Sequence, residues 1–195
     1  MNRKWLVGGV AAFLAIAAVL ALFLGGVVGR SIVPSSPTPP APSTVRVTDT
    51  LTDVSIAYPA AWIRRISKDQ AVRLVASSPD ASAAVSVSVR KSDLEPVTSE
   101  SLPIVRPLTD DLLRQDTRIK SVPEPEAVTI DGLAGYRYTY TYRTQDGRDG
   151  AHVHYFLFKP DRLVQVVLQA VPASKLTSLQ PTFNRVVASF RASKS

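Results

Sequence analysis

The stretch YRYTYTYR, residues 136–143, decides the fold. Tyrosine alternates there with arginine or threonine, and strict alternation with a period of two predicts a β-strand whose two faces differ. Residues 151–159 and 163–171 are two further apolar runs, and short turn-forming segments separate the three. Because hairpin-length connections join antiparallel neighbours, these runs predict a three-stranded antiparallel meander.

Weaker patterns outside this meander complete the fold class. Period-two alternation recurs in residues 54–58 and 85–89. Apolar side chains recur three and four positions apart in residues 99–115 and 174–190, which predicts two amphipathic helices. We therefore expect an α+β domain, with packed helices on an antiparallel β-sheet, preceded by one transmembrane helix.

The N-terminal end predicts that membrane helix. Residues 5–28 contain no charged side chain. At about 1.5 Å per residue, a helix of this length crosses a hydrocarbon core of about 30 Å. Arg3 and Lys4 precede the run, and positive charge stays on the cytoplasmic side. We expect a cytoplasmic tip at residues 1–4 and a transmembrane signal anchor at residues 5–29, with the rest of the chain outside the cell.

Three residues of the anchor carry expectations of their own. Trp5 is expected at the level of the lipid headgroups, where aromatic anchors lie. Gly25 and Gly29 are four residues apart, a spacing that lets a second helix approach closely. Glycine is also common in membrane helices, so the spacing indicates either a contact with a second helix or the ordinary composition of a membrane helix. Cleavage after Gly29 is the alternative to an uncleaved anchor.

A proline-rich linker follows at residues 30–45, with 5 of the 15 prolines of the chain. Proline favours extended polyproline II, so this segment predicts a spacer between membrane and domain. Residues 46–195 remain for an extracytoplasmic domain of ordinary size.

Composition excludes several classes of function. With 0 Cys the chain has no disulfide scaffold and no cysteine nucleophile. It also lacks a G-x-S-x-G elbow and the phosphate-binding and dinucleotide fingerprints. The net charge is +7; without the three basic residues beside the anchor, 20 basic and 16 acidic residues leave +4 outside the membrane. This diffuse charge does not indicate nucleic-acid binding.

Three short motifs resemble the PsbP-like superfamily. They are IAYPAAW at residues 56–62, IDGLAG at residues 130–135 and VASF at residues 187–190. The resemblance covers about residues 50–191, and the superfamily includes actinobacterial envelope proteins of the LpqN type. It implies an α/β/α sandwich and a binding or accessory role. The chain lacks the lipid-carrying Cys of LpqN-type lipoproteins, and its Ala-, Val- and Arg-rich usage suits a high-GC actinobacterium.

His152 and His154 are the candidate metal ligands. They lie two residues apart, on one face of a predicted strand. Zinc normally takes three or four protein ligands, and the nearest acids in sequence are Asp146 and Asp149, across a loop. The alternative is a pair of surface or half-buried histidines on a sheet.

Aromatic side chains are the candidate ligand contacts. One face of the first strand carries four tyrosines, and Trp62 follows the motif proline; the tyrosines are Tyr136, Tyr138, Tyr140 and Tyr142. Such a row is typical of a stacking platform for sugars or aromatic ligands, or of a core face beneath a helix. Beside Trp62, the basic residues Arg64, Arg65 and Lys68 indicate a contact with anionic lipid or a partner, or a solvated loop.

These observations predict a non-enzymatic, membrane-anchored extracytoplasmic accessory protein, with no cofactor. We expect single-pass insertion in the cell membrane, contacts with the lipid bilayer and with other membrane or envelope proteins, and envelope glycolipid or glycan as a further partner. The alternative is an envelope metal-binding protein or hydrolase that uses the pair His152 and His154.

Overall fold

The computed structural model describes residues 43–119 and 121–192, which form ten strands and two helices. The strands are β1 Thr44–Asp49, β2 Val54–Pro59, β3 Ile63–Arg65, β4 Val72–Ser77, β5 Ala83–Lys91, β6 Glu126–Ile130, β7 Leu133–Arg143, β8 Asp149–Lys159, β9 Arg162–Ala170 and β10 Arg191–Ala192. The helices are α1 Leu102–Arg114 and α2 Leu176–Ala188; a 3-10 turn, Ala173–Lys175, leads into the second.

The strands form two antiparallel sheets. Seven make one sheet in the order β3-β4-β5-β9-β8-β7-β6, and β1, β2 and β10 make a three-stranded sheet. The tyrosine strand is β7, and it pairs with β8, which pairs with β9. In this register Tyr140 lies opposite His152, and Phe156 lies opposite Gln165. The predicted meander is confirmed.

The two helices lie on opposite faces of the seven-stranded sheet. Helix α2 packs Phe183 and Val186 against the apolar cluster that contains Leu157 of β8. Helix α1 packs Leu113 against the cluster that contains Phe156, the preceding residue of the same strand. Because successive side chains of a strand point to opposite faces, the helices cover different sides of the sheet. The layers are helix, sheet and helix, which confirms the α+β fold class for the described residues.

Glycine is required at two positions, one in the turn between β6 and β7 and one near the start of β7. Asp131 and Gly132 form the turn with φ of 49° and 81°, and a two-residue hairpin turn of this kind favours glycine. Three residues later, a Cβ on Gly135 would lie 2.1 Å from the Phe156 carbonyl oxygen and 2.9 Å from Leu157 Cδ2. The motif IDGLAG therefore encodes both a tight turn and a close approach of β8.

The predicted membrane segment lies outside the described residues. Trp5, Gly25 and Gly29 are not among them, and the same holds for the predicted tip and anchor. Within residues 43–119 and 121–192, no helix has the length and hydropathy needed to cross a bilayer. The first strand begins at Thr44, at the end of the predicted linker.

Candidate functional site

Three tyrosines of the β7 row, Tyr136, Tyr138 and Tyr140, share an apolar cluster with helix α1, and Tyr142 lies under the Arg118 guanidinium after that helix. All four rings are buried, and Tyr138 is fully enclosed. The Tyr136 hydroxyl donates to the Leu102 carbonyl oxygen at 3.1 Å. The Tyr138 hydroxyl donates to Asp110 Oδ1 at 2.7 Å and lies 2.6 Å from Thr109 Oγ1. This position corresponds to the packing alternative, and a role in ligand binding stays a prediction.

A single hydroxyl joins the two histidines. Tyr140 Oη lies 3.2 Å from His152 Nδ1 and 3.1 Å from His154 Nδ1. On the far side of each ring, His152 Nε2 lies 3.1 Å from Gln169 Oε1, and His154 Nε2 lies 3.1 Å from Gln165 Oε1. The histidines are only 3% and 7% exposed. Every ring nitrogen of the pair therefore has a polar neighbour inside the protein.

The protons of this network can be counted. If both glutamines present their oxygens, both imidazoles carry the proton on Nε2, and both Nδ1 atoms are acceptors. The Tyr140 hydroxyl has one proton to donate, so one of the two acceptors would stay unmatched in a buried site. An unmatched buried acceptor costs about 1–3 kcal/mol.

Turning the amide of Gln165 removes the mismatch. The Gln165 Nε2 atom is buried and has no hydrogen-bond partner among the described residues. Amide nitrogen and oxygen are distinguished by their hydrogen-bond partners, and with the nitrogen towards His154 a matched chain results. Gln165 donates to His154 Nε2, His154 Nδ1–H donates to Tyr140, Tyr140 donates to His152 Nδ1, and His152 Nε2–H donates to Gln169. We define these five side chains as the Tyr–His–Gln chain.

Burial keeps the side chains of the Tyr–His–Gln chain uncharged at neutral pH. Burial lowers the pKa of His152 to about 4 and that of His154 to about 3. Burial also raises the pKa of the Tyr140 hydroxyl well above its usual value. Beside His152 lies an ion pair between Asp116 and Arg118, with Arg118 Nη2 2.7 Å from Asp116 Oδ2.

The same geometry defines what a metal would require. Both Nδ1 atoms face the point where the Tyr140 hydroxyl lies, so a metal would take this oxygen as a third ligand or displace it. Across residues 43–119 and 121–192, no three His, Cys, Asp or Glu side chains are grouped so that they could hold a metal. Metal binding by His152 and His154 stays a prediction.

Trp62 lies apart from the tyrosine row. It is partly buried at the corner between β2 and β3, where its backbone N–H donates to the Pro59 carbonyl at 2.9 Å. Its side chain packs against the apolar cluster on the α2 face of the sheet. The candidate aromatic residues are therefore split between the two faces and do not form one site.

Sequence reasoning missed the two glutamines. Gln165 and Gln169 are 4% exposed and lie on β9, in the apolar run LVQVVLQAV of residues 163–171. Two long polar side chains four residues apart in such a run share one face of the strand, since the side-chain period is two. That pattern was the available signal for buried hydrogen-bond partners. Ser88, directly opposite Gln165 on β5, is also buried.

Two open grooves lie at the edges of the seven-stranded sheet. The first, of about 520 Å³, lies at the β3 edge between the β3–β4 loop and β4. The second, of about 360 Å³, lies between helix α2 and the β6 edge, with Thr129, Tyr155, Asn184 and Val187 in its lining. We call the second groove the α2–β6 groove.

Comparison with solved structures identifies the fold. The chain resembles the cyanobacterial PsbP protein CyanoP of Synechocystis, with a TM-score of 0.60 and 17% identity over 82% of this chain and 98% of that chain. It resembles LpqN of Mycobacterium tuberculosis, with a TM-score of 0.53 and 12% identity over 76% and 90% of the two chains. The Saccharomyces cerevisiae Ran-binding protein Mog1p gives a TM-score of 0.52 at 10% identity, over 78% and 96%.

The described domain therefore has a PsbP-like fold with LpqN-like neighbours, and the predicted resemblance is confirmed at the level of the fold. No family model and no curated protein matches the sequence.

Proposed function

We propose that this chain is a non-enzymatic, membrane-anchored extracytoplasmic protein that works as an accessory subunit of a cell-envelope or membrane protein complex. The uncharged run at residues 5–28 and the proline-rich linker support the anchor and its spacer. The fold supports a binding role, because Mog1p is a Ran-binding protein and LpqN is involved in cell envelope biogenesis.

One observation carries the proposal: the side chains best suited to chemistry are bound to one another inside the protein. The imidazoles of His152 and His154 are buried, and each nitrogen faces Tyr140 or a glutamine. A general base must reach the proton that it removes from a substrate, and these nitrogens face other side chains. This arrangement therefore supports a domain that acts by binding a partner through its outer surface.

We propose the α2–β6 groove as the contact with the partner. Its lining combines apolar Val187 and Ile130 with polar Asn184 and Thr129, and the Tyr155 ring forms part of it. Interfaces between separately folded proteins have this mixed polarity, and tyrosine is enriched in them. The groove is accessible from solvent and lies at the sheet edge opposite β3.

Copurification tests both statements. We would purify the full chain from native membranes in a mild detergent and expect a membrane or envelope protein in stoichiometric amount. Asn184→Arg fills the groove with a long charged side chain and should release the partner. Ser178→Arg, an exposed position on the same helix, is the matched control and should retain it.

Two results would contradict the proposal. A chain that purifies without a partner, and with about one metal ion per chain, would support the alternative at His152 and His154. Equal retention of the partner by both variants would remove the groove from the proposal but leave the accessory role.

A further inference from the structure

The two edges of the seven-stranded sheet differ in charge balance. At the β6 edge, Glu124 pairs with Arg106 at 2.6 Å and Glu126 with Arg137 at 2.7 Å. At the β3 edge, basic side chains exceed acidic ones. Asp69, the one acid among residues 60–75, pairs at 2.6 Å with Arg90, which lies outside this segment.

Two basic residues of the β3 edge are left without a counter-charge. Arg64 and Lys68 are exposed, and no acidic side chain of residues 43–119 or 121–192 lies within ion-pair distance of either. Between them Ile66 is 94% exposed, and Ile63 at the start of β3 is 42% exposed. The segment thus combines exposed apolar and cationic side chains beside the groove of about 520 Å³.

The chain enters the domain next to this segment. The carbonyl oxygen of Ser43 accepts a hydrogen bond from the Ala60 N–H at 2.8 Å, and Thr44 pairs with Pro59. Strand β3 begins at Ile63, only three residues after Ala60. The 42 residues that precede Ser43, with the predicted anchor among them, therefore join the domain close to its cationic edge.

We propose that residues 63–68 dock the domain on the anionic headgroup surface of the membrane that holds its anchor. This inference rests on the anchor of the proposed function. Ile66 enters the headgroup layer while Arg64 and Lys68 contact lipid phosphates, an arrangement that is typical of interfacial segments. Each cationic side chain near an anionic leaflet strengthens binding severalfold. In this orientation the α2–β6 groove lies at the opposite sheet edge, accessible to a partner.

The chain suits a site-specific fluorescence test. It contains 0 Cys, so Ile66→Cys provides a unique thiol for an environment-sensitive fluorophore. The control is Ile104→Cys: Ile104 is 78% exposed and lies on α1, whose Arg106 pairs with Glu124 beside the β6 edge, opposite β3 in the sheet. The labelled full chain is reconstituted into nanodiscs of phosphatidylcholine alone or with phosphatidylglycerol.

We expect a blue shift and protection from a water-soluble quencher at position 66 in the anionic discs only, and neither change at position 104. Raising the salt from about 0.1 M to about 1 M should reverse both changes, because the Debye length falls from about 10 Å to about 3 Å. The charge reversal Arg64→Glu/Lys68→Glu should lower the docked population about tenfold or more. The exchange Arg64→Lys/Lys68→Arg keeps the charge and should retain docking.

Other outcomes separate this inference from the anchor. Extraction of the full chain from membranes by alkaline carbonate would contradict the anchor itself. A chain that resists extraction but gives the same spectrum at position 66 in both kinds of disc would overturn the docking inference and leave the anchor intact. A shift that needs an added acidic protein instead of phosphatidylglycerol would also overturn it.

Discussion

The two faces of the seven-stranded sheet hold their helices by different interactions. Under α2 the contacts are apolar, with Phe183, Val186 and Phe190 against the valines of β5 and β9. Under α1 and the segment after it, hydroxyls, imidazoles and amides share the interface; Tyr138 donates to Asp110, and the Tyr–His–Gln chain continues across three strands.

The difference shows that one sheet can combine non-directional apolar packing on one face with directional hydrogen bonds on the other. Apolar burial is roughly proportional to area and has no direction, so the α2 face gains stability from packing. Each buried polar group on the α1 face needs a partner in the correct orientation, and a single unmatched group costs about as much as a good hydrogen bond contributes. The first prediction tests the polar face by protonation, and the second tests the apolar face by truncation.

Acid should destabilise the polar face most strongly. Burial lowers the pKa of His152 to about 4 and of His154 to about 3, against an unfolded value of about 6.5. The unfolded chain therefore binds protons first, and the stability that is present above pH 6.5 is lost as the pH falls towards 4. The slope approaches about 1.4 kcal/mol per pH unit for each histidine. Denaturant unfolding of the full chain in detergent at a series of pH values measures this loss, which is about 3 kcal/mol per histidine at pH 4.

The double variant His152→Gln/His154→Gln is the control for this pH dependence. Its free energy of unfolding should vary little between pH 6.5 and 5, a window above the usual pKa of carboxylates. Asp116 faces His152, and hydrogen bonds from Arg118 help to hold the pKa of Asp116 below its usual value despite burial, so this carboxyl titrates at lower pH. If the free energy of unfolding of the wild type falls with pH no more steeply than that of the variant in this window, the buried histidines are not the source of the acid sensitivity.

Truncation of the α2 face should have the next largest effect. Phe183 is fully buried, and Phe183→Ala should lower the free energy of unfolding by about 3–5 kcal/mol, through lost transfer free energy and the cavity that remains. Ile104→Ala on α1, where the side chain is 78% exposed, should change it by less than about 0.5 kcal/mol. Denaturant midpoints from circular dichroism give both values at neutral pH. Similar losses for the two variants would contradict the packing of α2 on this face.

Local periodicity predicts much of the described fold. The alternation of β7 and the apolar runs of β8 and β9 specify the meander, and the three- and four-residue spacing of α2 specifies its packed face. Strand β6, Glu126–Ile130, lacks a clear alternation of apolar and polar residues, and β10 has only two residues. The place of β6 depends on its hairpin with β7, and that of β10 on pairing with the distant strand β2, which sequence spacing does not encode.

The candidate site was predictable only in part. Parity along β8 places His152 and His154 on one face, and parity along β7 does the same for the tyrosines. That Tyr140 lies between the two rings depends on the β7–β8 register, which the loop of residues 144–148 sets. The packing of α1 on Tyr136, Tyr138 and Tyr140 depends on a tertiary contact that no local pattern specifies.

The last difference between the two faces concerns the proton positions in the Tyr–His–Gln chain, which lies on the α1 face. We expect His154 to carry its proton on Nδ1 and His152 on Nε2, because only this arrangement matches every donor with an acceptor once Gln165 donates. Nitrogen-15 chemical shifts of the histidine rings at neutral pH distinguish the two tautomers. Protonation of both rings on Nε2 would contradict the matched chain.

In Tyr140→Phe the two Nδ1 atoms lose the hydroxyl that joins them, and the free energy of unfolding should fall by about 1–3 kcal/mol. The tautomer of His154 should change as well, because its Nδ1 proton then has no acceptor.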